Sequence, residues 1–147
     1  PDLDFTVTKY TPVFLSDKLL SDASKVEKVI LVSGKLYYDL LEQREKMNDQ
    51  KTALVRLEQV SPFPDWKLKD ILASYKNLKK VVWAQEEPQN MGSFSFVYFK
   101  IMNLLIEMNL KVNFSYAGRP DRASPATGSL YRHKAEQQQI IEKAFSL

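Results

Sequence analysis

A short, nearly continuous run of apolar residues constrains the fold of this chain more than any other feature. Residues 28–33 read KVILVS, so four β-branched or aliphatic residues follow one another without polar alternation. Such a run is typical of a strand that is buried on both faces, as in a parallel sheet covered by helices. The run therefore predicts an α/β fold with helices on both sides of the sheet.

The segments after this run alternate between helix and strand patterns. Leu36 and Leu40, then Tyr37 and Leu41, fall at helical spacing, and this helix is predicted to end near Asn48. Further strands are predicted over residues 53–60, 81–84 and 111–116, with helices after Pro64, after Ser93 as the N-cap, and from about Ser129 to Phe145. Strands that alternate with helices predict right-handed crossovers around a mainly parallel sheet.

The first 27 residues differ from the rest of the chain. Their hydrophobic residues, such as Phe5 and Phe14, are scattered among Thr, Ser, Asp and Pro without a sustained period. We therefore divide the chain into an extended interdomain linker over residues 1–27 and one globular domain over residues 28–147. The acidic start without a methionine leads us to expect that the chain belongs to a longer protein.

Composition excludes several kinds of site. The chain has no cysteine and one histidine, His133, which excludes disulfides, thiolate metal sites and cysteine nucleophiles. No metal site is expected, because a zinc site built from this chain alone would need three carboxylate ligands. The 21 Lys and Arg residues are scattered and outnumber the 18 Asp and Glu residues by only three, so no nucleic acid partner is expected. No apolar run reaches the roughly 18 residues of a membrane span.

Three segments are expected to meet at the carboxyl edge of the sheet, where α/β proteins usually carry their function. They are residues 33–35, 85–92 and 119–129. Lys35 follows Ser33 and Gly34 at a helix start, which could favour an anion or be a plain turn. It is not a phosphate-binding P-loop, because the upstream glycine of that motif is missing.

The second segment, residues 85–92, is predicted to be a polar loop with adjacent carboxylates at Glu86 and Glu87. Adjacent side chains in extended backbone point in opposite directions, so the pair is poorly placed to share a proton. One carboxylate could act as an acid, a base or an acceptor for a cofactor. The alternative is a solvated or interface loop.

The third segment precedes the last helix. Arg119, Arg122 and Arg132 flank the hydroxyl-rich residues 124–129, an arrangement that suits a phosphate or carboxylate and equally suits solubility or interface pairing. His133 shares a helix face with Gln137, which favours a structural, half-buried histidine over a general base.

Five blocks, taken in order, resemble one known family. They read VSGKLYYDL (32–40), VRLEQ (55–59) with PFP (62–64), WAQEEPQNMG (83–92), YAGRP (116–120), and SPATG (124–128) running on to His133 and EQ (136–137). Together they closely resemble the C-terminal domain of the thiamine-diphosphate-dependent first component of the 2-oxoglutarate dehydrogenase complex. The resemblance covers about residues 28–147.

The resemblance implies a transketolase C-terminal-like fold, which is a three-layer α/β/α sandwich with a mostly parallel sheet and an antiparallel edge strand. It also implies a parent enzyme that oxidatively decarboxylates 2-oxoglutarate and succinylates a lipoyl group in the citric acid cycle. In that family thiamine diphosphate and magnesium are bound by two earlier domains, so no catalytic or metal residue is expected here, and the chain alone is expected to be inactive.

The resemblance also suggests which residues have a role. Glu86, Glu87, Asn90 and Gly92 are the candidates for the surface that faces the other domains and the approach to the active site. Weaker candidates for anion or regulatory contacts are Lys35, Arg56, Arg119, Thr127 and Gly128. His133 matches a family position, and its role is expected to be structural.

The implied partners are the remaining domains of the same subunit, the homodimer mate and the lipoyl-bearing acyltransferase, with no nucleic acid and no membrane. The implied location is the cytoplasm for a bacterial protein and the mitochondrial matrix for a eukaryotic one. Two alternatives stay open: a regulatory module that binds an anionic nucleotide or acetyl-coenzyme A, and the same domain of a 2-oxoadipate dehydrogenase.

Overall fold

A computed structural model describes residues 13–16, 22–123 and 129–147. These residues form a five-stranded sheet in the order β1-β3-β2-β4-β5, with β2 to β5 parallel and β1 antiparallel at the edge. The strands are β1 (Val13–Ser16), β2 (Lys28–Val32), β3 (Thr52–Leu57), β4 (Lys80–Pro88) and β5 (Asn113–Arg119). The helices are α1 (Leu36–Met47), α2 (Asp65–Ala73), α3 (Phe94–Glu107) and α4 (Leu130–Ser146). The predicted α/β sandwich with an antiparallel edge strand is confirmed.

The central strand β2 divides the core into two layers. Its residues are all buried, and alternate side chains point to opposite faces of the sheet. Val29 and Leu31 pack in the layer formed with α2 and α3, whereas Ile30 and Val32 pack in the layer formed with α1 and α4. The apolar run at 28–33 is therefore the strand predicted to be covered on both faces.

Lys28 joins the start of β2 to the end of α4. Its buried ammonium group donates to the carbonyl oxygen of Phe145 at 2.6 Å. A cation is favourable at this position because the last carbonyl groups of a helix carry partial negative charge. Burial, and then the charge of Lys80, lower the pKa of Lys28. This contact holds the end of α4 against the start of β2. The first half of the helix then lies beside the carboxyl edge of the sheet, where Gln137 contacts Glu86.

Three details differ from the sequence predictions. The predicted loop over residues 85–92 is wrong in its first half, because β4 continues through an irregularity in its pairing with β5 and ends only at Pro88. Ser93 is the N-cap residue of α3, as predicted, but its side chain makes none of the capping hydrogen bonds expected of such a residue. β5 reaches Arg119 rather than 116.

Part of the segment assigned to the linker belongs to the sheet. β1 pairs with β3 with Val13 opposite Leu57, and Val26 is fully buried among the core residues. The division of the chain at residue 28 stays a prediction. Among the described helices none is long and apolar enough to cross a membrane.

Candidate functional site

The three predicted segments come together at the carboxyl edge of the sheet, the third through Arg119 and Arg122, which contact Glu86 and Asn90. A cavity of about 130 Å³ lies there, between the turn after β2 and the end of β4. Its lining residues are Ser33, Gly34, Lys35, Trp83, Gln85, Glu86, Glu87 and Ser93. The topology produces this arrangement because β2 and β4 are parallel neighbours, and their carboxyl ends lie side by side.

Gln85 organises the segment that leads from β4 to α3. Its side-chain amide group lies within 3.2 Å of the carbonyl oxygens of Glu87, Pro88 and Met91. Its side-chain oxygen accepts from the indole of Trp83 at 2.9 Å and from the backbone N–H of Phe94 at 3.1 Å. One buried side chain therefore fixes the end of β4, the turn and the first N–H of α3, which Ser93 leaves uncapped.

Glu86 and Glu87 lie on opposite sides of β4, as predicted for adjacent residues in extended backbone. The Glu86 carboxylate accepts from the side chain of Gln137 at 2.7 Å, and the same amide donates to Asp39 at 3.1 Å. This contact joins β4 to α1 and α4. Glu87 is exposed on the other side, and its carbonyl oxygen accepts from the hydroxyl of Tyr116 at 3.1 Å. The two carboxylates therefore do not form an acid–base pair.

The turn over residues 89–92 is tied to the end of β5. Asn90 donates from its side chain to the carbonyl oxygen of Arg122 at 2.9 Å and accepts from the N–H of Arg122 at 3.1 Å. The N–H of Gln89 donates to the carbonyl oxygen of Arg119 at 3.0 Å. The turn is thus held to the end of β5 by these bonds and to β4 by the side chain of Gln85.

Gly92 is required by this turn for two reasons. Its φ is +63°, which side chains rarely adopt, and a Cβ atom there would lie 3.0 Å from the Glu87 carboxylate and 3.2 Å from the Gln85 side-chain oxygen. Gly34 has a similar φ of +75° but open space around it. A side chain at Gly34 would therefore cause backbone strain alone, whereas a side chain at Gly92 would cause backbone strain and a steric clash.

We expect Gly92→Ala to lower the melting temperature about twice as much as Gly34→Ala. Both variants lose roughly 1 kcal/mol to the left-handed backbone, and only Gly92→Ala must also displace Glu87 and Gln85. Thermal unfolding followed by circular dichroism measures both. Equal shifts for the two variants would show that the Glu87 side chain moves away without cost.

The three arginines of the third segment converge on one residue, Glu136. Arg119, Arg122 and Arg132 approach its carboxylate at 3.4, 2.8 and 3.1 Å. Arg119 is buried, and its Nε also donates to the carbonyl oxygen of Glu86 at 2.7 Å. The described arginines are thus engaged within the chain, which favours internal pairing over the predicted anion site. An anion contact at Arg119 stays a prediction.

Tyr116 packs against the same edge. Its hydroxyl contacts the carbonyl oxygens of Glu87 and Arg119 at 3.1 and 2.9 Å. Burial is the main cause that raises its pKa to about 12, so the hydroxyl stays a donor at neutral pH. A side chain at Gly118 would collide with the Tyr116 ring, which explains the glycine between Tyr116 and Arg119.

Arg56 and His133 lie apart from this turn, whereas Lys35 lines the cavity of about 130 Å³ beside Glu86 and Glu87. Arg56 is on β3, donates to the Tyr38 hydroxyl at 2.9 Å and forms an ion pair with Glu58. His133 and Lys35 line a larger groove of about 580 Å³ between α1 and α4. The structural role of His133 stays a prediction.

Two of the candidates, Thr127 and Gly128, lie outside the described residues. Within those residues, no group of three His, Asp or Glu side chains could hold a metal ion. The edge therefore offers shaped polar surface and fixed backbone rather than a set of metal ligands.

Sequence reasoning missed two residues that organise this edge. The sequence predicts a loop at Gln85, and because glutamine side chains are mostly exposed, nothing in the sequence marks this one as buried. Glu136 does have a signal in the sequence, since it lies four residues after Arg132 on a predicted helix and such pairs face each other.

Residues 3–145 match the family described as 2-oxoglutarate dehydrogenase C-terminal. Proteins named 2-oxoglutarate dehydrogenase E1 component are 42% identical over 125 residues in Cupriavidus necator, 38% over 140 in Rickettsia conorii and 41% over 144 in Geobacillus sp. (strain WCH70). These matches cover 85%, 95% and 97% of the chain and 13%, 15% and 15% of the relatives.

The chain thus spans about one-seventh of the length of the curated relatives it matches. The family match covers nearly all of its residues and includes the turn between β4 and α3. This chain belongs to the 2-oxoglutarate dehydrogenase C-terminal family.

Proposed function

We propose that this chain is the carboxyl-terminal, non-catalytic domain of an enzyme that oxidatively decarboxylates 2-oxoglutarate and passes the succinyl group to a lipoyl group. The family match over residues 3–145 is the observation that carries this proposal. The relatives named 2-oxoglutarate dehydrogenase E1 component are about seven times longer, which leaves ample chain for a catalytic centre elsewhere.

The role proposed for this domain is to present a rigid polar edge to the rest of the enzyme. Gln85 fixes the end of β4 from inside, and Asn90 ties the turn to Arg122 from outside. Glu87 at the end of β4 and Asn90 and Gly92 on the turn are exposed, whereas Glu86 stabilises the contact with α4 through Gln137. Exposed polar groups on a fixed turn suit a surface that faces another domain or the approach to an active site.

Thiamine diphosphate and magnesium, which the resemblance implies for the parent enzyme, are assigned to the part of the enzyme outside these residues. The described residues do not fit a magnesium site, because they lack a cluster of three suitable ligands. We therefore assign no step of the reaction to this domain.

The proposed partners are the remaining domains of the same subunit, the homodimer mate and the lipoyl-bearing acyltransferase of the complex. Since the three relatives are bacterial, the cytoplasm is the proposed location. The regulatory alternative gains no support at the arginine cluster, because those guanidinium groups already contact Glu136.

The test is made in the full-length enzyme, with CO₂ release from 2-oxoglutarate in the presence of an electron acceptor as the readout. We expect the enzyme to prefer 2-oxoglutarate to 2-oxoadipate, and Glu87→Ala to lower kcat/KM about tenfold, which corresponds to roughly 1.4 kcal/mol. The reason is that Glu87 contributes an exposed carboxylate to the surface proposed to face the catalytic domains.

Glu42→Ala is the matched control, because Glu42 is an exposed glutamate on α1 whose ion pair among the described residues is with the surface residue Lys46 of its own helix. Its kcat/KM should stay within twofold of the original. Full activity of Glu87→Ala would refute the role given to the turn, while CO₂ release from 2-oxoadipate alone would refute the substrate assignment.

A further inference from the structure

A second cavity, of about 260 Å³, opens at the amino edge of the sheet, the edge opposite to the site described above. Four of the residues that line it are lysines, namely Lys28, Lys51, Lys79 and Lys80. They meet because β2, β3 and β4 are parallel neighbours, and each of these strands begins at a lysine or directly after one. The topology therefore collects positive charge from three separate segments of the chain.

The pairing of the strands brings two of these lysines close together. Lys28 lies directly opposite Lys80 in the register of β2 and β4, so both side chains start on the same face of the sheet. Lys28 is only 8% exposed, which leaves its charge poorly screened by water. Like charges at opposite positions of neighbouring strands are unfavourable. The repulsion is visible in the lowered pKa of Lys28, which burial and then the charge of Lys80 produce.

One of the two carboxylates in the cavity interacts with three of the lysines. Glu27 accepts from the ammonium group of Lys79 at 3.1 Å. This hydrogen bond and the charge of the same lysine, followed by the charges of Lys51 and Lys80, hold the pKa of Glu27 below its ordinary value. A single negative charge is therefore shared among three ammonium groups.

The other carboxylate, Asp49, accepts hydrogen bonds from neutral donors. These are the backbone N–H of Lys51 and the hydroxyl of Thr52, each at 2.7 Å. The charge of Asp49 offsets only part of the effects on Lys28, whose pKa stays below its ordinary value. Four lysines and two carboxylates leave an excess of two positive charges in the described lining of the cavity.

We propose that this cavity binds a compact oxyanion with two negative charges, either a phosphate group or a dicarboxylate. Such an anion neutralises the two excess charges, and its oxygens are the acceptors that lysine ammonium groups bind. The cavity has the volume of several water molecules, so it has room for an ion of this size. Lys28 is fixed by the carbonyl oxygen of Phe145, whereas Lys51 and Lys80 are exposed, and their long side chains can turn toward the ion.

The experiment follows the acylation of individual lysines in the full-length enzyme by peptide mass spectrometry. The amine-acylating reagent N-hydroxysuccinimidyl acetate is applied in millimolar sodium phosphate, in sodium succinate and in sodium chloride, at equal ionic strength. We expect Lys51 and Lys80 to react about threefold more slowly in phosphate or in succinate than in chloride, because a bound anion favours the ammonium form, which does not react. Lys76 is exposed and does not line the cavity, so its rate should be the same in all three salts.

The variants Lys80→Gln and Lys76→Gln separate binding in the cavity from a general effect of the salt. Lys80→Gln should remove the protection of Lys51, whereas Lys76→Gln should keep it. Protection by phosphate alone identifies a phosphate group as the ligand, protection by succinate alone identifies a dicarboxylate, and protection by both supports a site for either.

Equal rates at Lys51 and Lys80 in the three salts, or protection of Lys51 that survives Lys80→Gln, would overturn the proposal. The acylation rates do not depend on CO₂ release from 2-oxoglutarate. The proposed function and this anion site are therefore tested separately, and either can fail without the other.

Discussion

Replacing Gln85 with leucine is expected to lower the melting temperature of the protein by about 10 °C. Leucine fills similar volume but cannot replace the contacts of the amide with Trp83, Phe94 and the three carbonyl groups of the turn. Each buried polar group left without a partner costs roughly 1–3 kcal/mol. A total near 3 kcal/mol corresponds to about 10 °C for a domain of this size.

Circular dichroism gives the melting temperature, and tryptophan fluorescence reports on the local change, because the Trp83 indole loses its acceptor. Gln89→Leu is the matched control: the same substitution, four residues later, at an exposed side chain. Its melting temperature should change by less than 2 °C. A similar small change in Gln85→Leu would show that the turn holds its shape without the amide.

The sheet could be predicted from the sequence because its signals are local. The apolar run at 28–33 identifies β2, and the period of Leu36 and Leu40 identifies α1. The family resemblance implies an antiparallel edge strand without locating it, and β1 falls in the segment predicted to be a linker, since these four residues have no period of their own. Its position depends on pairing with β3, nearly forty residues later. Such long-range pairing leaves little trace in the local pattern.

The position of the candidate site could be predicted from the sequence, but the hydrogen bonds that shape it could not. The carboxyl edge follows from the parallel topology, so the β2 turn and the end of β4 were expected to meet. The extension of β4 to Pro88 depends on the irregular pairing with β5 and on the buried amide of Gln85. A glutamine after a strand is usually solvated, and only its three-dimensional surroundings show that this one is buried.

Glu136→Gln is expected to lower the melting temperature by about 7 °C at neutral pH. The substitution keeps the shape of the side chain and removes the charge that Arg119, Arg122 and Arg132 share. Arg119 is only 8% exposed, so its charge would lose its partner in a place where water replaces it poorly. Because the other two arginines are more exposed, we expect the free energy of unfolding to fall by about 2 kcal/mol, which is less than the loss for a fully buried pair.

The ion pairs of Glu136 also predict how the stability of the protein changes with pH. Burial alone would raise the pKa of Glu136, but hydrogen bonds from Arg132 and Arg122 and their charges outweigh it and hold the pKa below its ordinary value of 4.5. A carboxyl group with a lowered pKa in the folded state stabilises that state above the unfolded pKa, and this stabilisation is lost as the pH falls through the folded pKa. The original protein should therefore lose stability in acid that Glu136→Gln does not lose.

Melting curves from pH 7 to pH 3 test both statements together. The gap of about 7 °C between the original protein and Glu136→Gln should stay constant down to about pH 5 and then narrow as the Glu136 carboxylate is protonated. Glu142→Gln on the same helix is the matched control, because Glu142 is exposed and contacts Gln138 rather than an arginine. A gap that does not narrow in acid would mean that the three arginines are held by the shape of the edge and not by the charge of Glu136.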